Sequence, residues 1–286
     1  MNRQAILYLL LSSLLYGAVT VLQKDGLNKG LDPLSFALTS GIFAAIFSIF
    51  YILSKHRALG RLNKSDWQNL IVIGAIASGT YQVTIFWDQS LTSAINAGFL
   101  LKLSGLFTIP FAYFMINERI SKDAWLPIIG IFFGAFLLST NGVPKMPQIG
   151  DLIIIFAAIQ LGFTNSLAKR TMRKIPAEVI SSMRLIFAAV FLLIAILILQ
   201  GFSSFASIYS GFWYILSSAG LTSIFVFTFY KGIELSSPST ASIFFLLSAV
   251  VSAVLAYPIL GESVSFIQAI GGLVILVSAY FIGKKG

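Results

Sequence analysis

A lysine in the middle of a long apolar run is the residue in this chain most suited to chemistry. Lys102 lies near the centre of segment 92–115, and a helical repeat places Gly98 and Gly105 on the same face. A charge at this depth in a bilayer is costly unless it is paired or hydrated. We predict that Lys102 faces a cavity and binds an anionic or zwitterionic substrate. The alternative is a structural lysine bonded to helix carbonyls.

Uncharged polar side chains recur at helical spacing in other apolar runs. Ser13, Tyr16, Thr20 and Gln23 follow one another at intervals of three and four residues and therefore share one helix face. Such groups either line a solute pathway or hold helices together by hydrogen bonds. We predict that the substrate site formed with Lys102 includes Tyr16, Thr20, Tyr81, Gln82, Asn96 and Gln160.

The remaining charges near apolar runs have structural interpretations. Arg184 lies about two turns inside its segment, so we expect it to snorkel or to bond to the nearest charged loop. Glu118 and Glu262 stand in short turns, where we expect each to cap the helix that follows. The sequence places no carboxylate deep within an apolar run.

The residue types needed for most catalytic and metal sites are missing. His56 is the only histidine and cysteine is absent, so a histidine-based triad, a thiolate metal site and a disulfide are excluded. No glycine-rich phosphate-binding motif occurs either. We expect no enzymatic activity, no cofactor and no metal.

The composition requires these side chains to be positioned by membrane helices. Hydrophobic residues make up 57% of the 286 and charged residues 10%, with a mean hydropathy of +0.91, whereas soluble proteins carry about 25% charged residues. Unsatisfied backbone groups are not tolerated in hydrocarbon, so the apolar runs must be helices. We predict an all-α membrane protein with ten spans, near residues 4–23, 34–53, 68–87, 92–115, 124–140, 151–168, 177–200, 211–230, 237–259 and 264–283.

The positive charges predict the orientation. With the N-terminus inside, fourteen Lys and Arg residues fall in or beside inside loops, whereas Lys24, Lys29 and Lys145 fall outside. This bias predicts that both termini are cytoplasmic. The net charge of +9 thus reflects the loops and gives no reason to expect a nucleic-acid partner. The expected partners are the lipid bilayer and a small-molecule substrate.

The two halves of the chain repeat at an offset of about 144 residues. This offset pairs Leu103-Ser104 with Leu247-Ser248 and Glu118 with Glu262. We predict one five-helix repeat in residues 1–145 and a second in residues 146–286. Because each repeat has an odd number of spans, the second enters the membrane from the opposite side. Inverted repeats of this kind surround a central cavity in many transporters.

Two stretches carry a family resemblance. They run from Thr92-Ser93-Ala94 through Pro110 to Asn117-Glu118-Arg119, and from Ser237-Pro238-Ser239-Thr240-Ala241 to Gly261-Glu262. On these residues the chain resembles the drug/metabolite transporter superfamily, specifically the ten-helix proteins with two EamA repeats. The resemblance covers the whole chain and implies ten helices around a central cavity.

The resemblance also implies export or exchange of small metabolites by alternating access. Combined with Lys102, it predicts an exporter of amino acids or related anionic or zwitterionic solutes in the cell (inner) membrane, as a monomer or homodimer. Two alternatives remain open. A cationic drug exporter would need an embedded carboxylate, and a channel-like facilitator would need a ring of pore-lining residues.

Overall fold

The computed structural model describes residues 2–54, 62–81, 100–144, 146, 148–199 and 211–285. Over these ranges the chain consists of helices and short connections. A π-helical turn, Ala75–Thr80, continues the third helix, and a 3₁₀ turn, Lys122–Ala124, precedes the fifth. The helices are α1 Arg3–Asn28, α2 Pro33–Leu53, α3 Lys64–Gly74, α4 Ser104–Ile116, α5 Trp125–Thr140, α6 Ile149–Thr171, α7 Ala177–Leu199, α8 Phe212–Leu235, α9 Pro238–Phe244, α10 Leu247–Leu260 and α11 Phe266–Lys285.

Eight segments of the described chain are long and apolar enough to cross a membrane. They comprise α1, α2, α6, α7, α8 and α11, α5 with its 3₁₀ turn, and α9 together with α10. The stretch Leu100–Ile116 is a shorter apolar helix. The predicted third and fourth spans are described only in part, because residues 82–99 lie outside the described ranges. An all-helical membrane protein is therefore confirmed, and the count of ten spans stays a prediction.

Local sequence signals set several helix ends. Asp32 and Ser237 each precede a proline and accept a hydrogen bond from a backbone N–H of the first turn, so they cap α2 and α9. Asn117 and Gly261 end α4 and α10 in the left-handed conformation, with φ of 57° and 70°. At both ends this residue donates to the carbonyl four residues earlier, and the next residue donates to the carbonyl six residues earlier. The two caps are 144 residues apart and follow the sequence repeat.

The predicted fourth and ninth spans are each interrupted. Leu103 N donates to Leu100 O at 3.0 Å, and Leu246 N donates to Ile243 O at 3.1 Å. These three-residue bonds tighten the backbone where α4 begins and where α9 gives way to α10. The predicted span near 237–259 is thus present as the apolar segment Pro238–Leu260, and two successive helices form it.

Close helix packing depends on small residues, as expected within a membrane. The first helix of each half contacts the other half through a glycine, Gly17 in α1 and Gly162 in α6. A Cβ atom on Gly17 would lie 2.6 Å from Val251 Cβ in α10, and one on Gly162 would lie 2.7 Å from the carbonyl carbon of Phe107 in α4. Phe107 and Val251 are themselves 144 residues apart, so the same contact is made twice.

Candidate substrate site

A cavity of about 220 Å³ lies between the two halves. A second cavity of about 280 Å³ adjoins it and shares part of its lining, Tyr16, Thr20, Tyr81 and Arg184 among them. The lining of the first cavity consists of Tyr16, Thr20, Tyr81, Leu101, Lys102, Ser104, Leu161, Asn165, Arg184, Phe225, Phe229, Ser242, Phe245, Ser248 and Ser252.

Lys102 lies immediately before the interruption of the helix at Leu103 and lines the first cavity. Its amine has no hydrogen bond or ion pair to any residue that the structure describes. None of the described lining residues is acidic. The arrangement is therefore a partly buried ammonium that faces a small cavity with no carboxylate from the described chain beside it.

Aromatic rings form one wall of the cavity. The Tyr16 ring packs against Phe225 and Phe245, with centroid distances of 4.8 and 4.5 Å. Phe229 extends this wall, 5.5 Å from Phe245. The Tyr16 hydroxyl shares a hydrogen bond with that of Tyr81, which places two polar tips beside apolar ring faces. This wall suits the apolar body of a solute whose charged end meets Lys102.

Hydroxyl and amide groups form another part of the site, where α4, α6 and α9 meet. Asn165 Nδ2 donates to Ser242 Oγ at 3.1 Å, and Thr108 Oγ1 lies at the same distance from that hydroxyl. Ser242 resembles a packing residue in the sequence, and only the fold brings it to the cavity. Ser104 and Ser248 could have been found from the sequence, because the repeat pairs them. Both line the cavity.

Arg184 does not snorkel, so the prediction for this residue is wrong. Its side chain is buried, with 8% exposed. Arg184 Nε donates to Ser78 Oγ at 2.9 Å, and Nη1 donates to Tyr230 Oη at 3.3 Å. The guanidinium carbon also lies 5.3 Å from the centre of the Tyr230 ring. Arg184 is thus a second cation of the cavity lining, held in place by α8 and the π turn.

The other predicted site residues have different positions. Tyr16, Thr20 and Tyr81 line both cavities, and the Thr20 hydroxyl donates to the Tyr16 carbonyl at 2.8 Å. Gln160 lies apart, where its Oε1 accepts a hydrogen bond from Thr80 Oγ1 at 3.2 Å between α6 and the π turn. Gln82 and Asn96 lie outside the described residues.

Polar contacts between the two halves of the chain lie at both ends of α8. At its C-terminal end, Ser237 donates to Glu118, and Lys169 Nζ donates to the carbonyls of the last turn, at 2.7–2.8 Å. Lys169 also interacts electrostatically with Glu118. At the end where α8 begins, Lys24 and Glu262 form an ion pair. Each glutamate therefore contacts the other half of the chain, which corrects the expectation that it caps the next helix.

The same pairing of residue types occurs at both ends. The repeat relates Lys24 to Lys169 and Glu118 to Glu262. About 36 Å of helix separates the ends, because α8 has 24 residues at about 1.5 Å per residue.

The model of the EamA-like transporter family matches residues 3–140 and again residues 148–284. The chain belongs to the EamA-like transporter family. The chain therefore contains two repeats, and the family resemblance noted in the sequence is confirmed.

Relatives from several organisms support this membership of the EamA-like family. An uncharacterized transporter of Clostridium kluyveri is 25% identical over 289 residues, which cover 97% of this chain and 92% of that protein. The uncharacterized transporter YyaM of Bacillus subtilis is 24% identical, with 93% and 88% covered. A solved structure that is 17% identical superposes with a TM-score of 0.82 over 99% of this chain and 97% of its own. That likeness supports the fold. The chain is thus a multi-pass membrane transporter.

Proposed function

We propose that this transporter moves small anionic or zwitterionic metabolites, such as amino acids, across the cell membrane. The observation that carries the proposal is the amine of Lys102, which faces the cavity with no hydrogen bond or ion pair to the described residues. A buried charge without a partner is unfavourable, and the carboxylate of a bound solute would supply that partner. The direction that the family resemblance favours is export.

The cavity residues divide the work of recognition. Lys102 binds the carboxylate, while Arg184 adds positive potential from a fixed position, because Ser78 and Tyr230 already hold its guanidinium. Tyr16 and Tyr81 offer hydroxyl groups for a second polar group of the cargo. At about 220 Å³ the first cavity admits a compact solute and is below the usual size for drug-sized ligands, about 300–1,000 Å³.

We further propose that transport proceeds by alternating access between inverted repeats. The contacts that relate the two halves support this: Gly17 with Val251 corresponds to Gly162 with Phe107. In the same way, the ion pair of Lys24 with Glu262 at one end corresponds to the neighbouring charges of Lys169 and Glu118 at the other. Related contacts at opposite ends suit a protein whose halves rock about a central site. Breaking one contact while the other holds would open one end at a time.

The competing functions receive less support. A cationic cargo would meet two positive groups, Lys102 and Arg184, in a described lining that has no acidic residue. A channel-like facilitator would give flux that does not saturate and is not accelerated by cargo on the opposite side. Catalysis is disfavoured by the transporter names of the relatives and by the residue types that the sequence lacks.

Flux in proteoliposomes tests the proposal. A panel of radiolabelled amino acids, organic anions and organic cations is offered to the purified protein, and we expect saturable uptake of an anionic or zwitterionic member. Unlabelled cargo inside the vesicles should accelerate this uptake if return of the empty transporter limits the alternating-access cycle. Lys102→Ala should abolish it, because the carboxylate loses its partner. Lys102→Arg should restore only part, since a planar guanidinium replaces a compact ammonium.

Lys122→Ala serves as the matched control. Lys122 is an exposed lysine of the 3₁₀ turn, outside both cavities, so its removal should leave flux unchanged. Thermal unfolding of each variant separates lost binding from lost folding. Wild-type flux in Lys102→Ala would end the assignment of this residue. Flux restricted to organic cations would support the drug exporter instead.

A further inference from the structure

A third cavity of about 460 Å³ opens on the lipid-facing surface, away from the substrate site. It is a groove between the N-terminal part of α1 and the C-terminal part of α11, and the end of α9 forms its inner limit. We call it the lateral groove. Its lining consists of Ile6, Leu10, Phe244, Leu247, Leu276, Ala279, Tyr280, Gly283 and Lys284.

The lateral groove has an apolar floor and apolar walls. Phe244, Leu247 and Ala279 form the floor and are at most 6% exposed. Leu276 and Tyr280 form one wall and are 49% and 66% exposed. In a membrane protein these open apolar surfaces face hydrocarbon, so the occupant that matches them is an acyl chain.

The groove ends at a positive charge. Lys284 is exposed, and its amine has no hydrogen bond or ion pair to the described residues. From Lys284 to Leu276 the helix rises about 12 Å. One leaflet of a bilayer provides about 15 Å of hydrocarbon. A groove of nearly one leaflet's depth, with a cation at its membrane-surface end, matches the dimensions and the charge of one phospholipid.

From these features we infer that the lateral groove is a binding site for an anionic phospholipid. One acyl chain lies along the floor formed by Phe244, Leu247 and Ala279, and the phosphate of the headgroup meets Lys284. Gly283 keeps the passage beside Phe244 open: a Cβ atom there would lie 3.4 Å from Phe244 Cζ, and a longer side chain would occupy the groove. The inference stands on these residues alone and does not depend on which cargo is transported.

The occupied groove would bear on the substrate cavity. The carbonyl of Phe244 accepts a hydrogen bond from Ser13 Oγ at 2.9 Å, and the next residue, Phe245, packs on Tyr16 in the cavity wall. The acyl chain would therefore lie against the interruption between α9 and α10, on the face opposite the cargo. An anionic lipid would brace this part of the cavity wall.

The test uses the full-length protein in detergent with added phosphatidylglycerol or phosphatidylcholine. Native mass spectrometry counts the retained lipids, and thermal unfolding measures their stabilisation. We expect wild type to retain one phosphatidylglycerol and to be stabilised by it more than by phosphatidylcholine. Gly283→Leu should lose both effects. Lys284→Gln should still bind lipid but lose about fivefold in preference for phosphatidylglycerol, the effect expected of one lysine near an anionic surface.

Two matched variants control for general effects. Gly220→Leu adds the same side chain where a Cβ atom would have nothing within 4 Å, and Lys122→Gln removes another exposed lysine. Both should behave as wild type. Equal lipid retention by wild type and Gly283→Leu would overturn the groove as the site. Equal stabilisation of wild type by the two lipids would overturn the anionic headgroup, and a protein dimer abolished by Gly283→Leu would assign the groove to a second copy of the chain.

Discussion

Lys102 and Arg184 line the same cavity under different constraints. Lys102 has no hydrogen bond to the described residues, whereas Arg184 donates to Ser78 and to Tyr230. Two positive groups in a partly desolvated space repel each other unless an anion lies near both. A cargo carboxylate would relieve this repulsion, which is why we assign binding to the lysine and a fixed electrostatic role to the arginine.

Substitution of Arg184 separates these roles. Arg184→Gln removes the charge and leaves the Ser78 and Tyr230 hydroxyls with a poorer partner, so we expect both lower stability and weaker cargo binding. Losing a hydrogen bond to a charged group costs roughly 1.5–3 kcal/mol. Tyr230→Phe, which removes one hydrogen bond but keeps the charge, should lower stability and leave the affinity for cargo near wild type. Thermal unfolding and cargo titration measure the two effects, and an unchanged affinity in Arg184→Gln would contradict the electrostatic role.

For individual residues, the sequence indicated which side chains line the cavity better than it indicated their hydrogen-bond partners. Lys102, Tyr16, Thr20 and Tyr81 line the cavity, and their role in substrate binding stays a prediction. The prediction for Arg184 failed because distance from a charged loop says nothing about which helices lie alongside. The hydroxyls of Ser78 and Tyr230 come from segments more than forty residues away in each direction, and only the packing brings them to the guanidinium.

Among the helices, the contact of α6 with α4 is sensitive to side-chain size. Gly162→Ala would place a methyl group 2.7 Å from the Phe107 backbone, which cannot move away as a side chain can. Overpacking of this kind costs roughly 1–3 kcal/mol. Gly220→Ala is the control, because its methyl group meets nothing within 4 Å. We expect thermal unfolding to show a lower midpoint for Gly162→Ala and an equal or higher one for Gly220→Ala. The same midpoint for both would contradict this packing.

The helices themselves follow from hydropathy and caps, and the interruptions at Leu103 and Phe245–Leu246 do not. Apolar residues continue without a break across Phe245–Leu246, only Lys102 and Ser104 flank Leu103, and no proline stands at either place. The interior prolines, Pro110 and Pro258, lie about two and about three turns further along α4 and α10. A periodicity argument therefore predicts continuous helices. Both interruptions lie beside the cavity, which Lys102 and Phe245 line, so we attribute them to tertiary structure.

For the whole molecule, the charge bias predicts that both termini are cytoplasmic, and cysteine labelling tests this proposal. The chain lacks cysteine, so one introduced thiol gives a signal without background. Lys64 is exposed at the start of α3, and Met146 is 85% exposed in the connection between α5 and α6. We expect a membrane-impermeant maleimide to label Met146→Cys in intact cells and to label Lys64→Cys only after the cells are opened. The reverse labelling pattern would show that both termini lie outside the cell, contrary to the prediction.

The repeat also has a chemical consequence, because its symmetry stops at the charges. At an offset of 144 residues, the position in the second repeat that corresponds to Lys102 is Leu246. The position in the first repeat that corresponds to Arg184 is Ser40. The scaffold is thus duplicated while the cations are not. A cargo with one acidic end meets a positive pole on one side only, so it has a preferred heading within the site. Because each pole depends on one side chain with no copy in the other half, a single substitution is enough to change which solutes are accepted while leaving the duplicated framework intact.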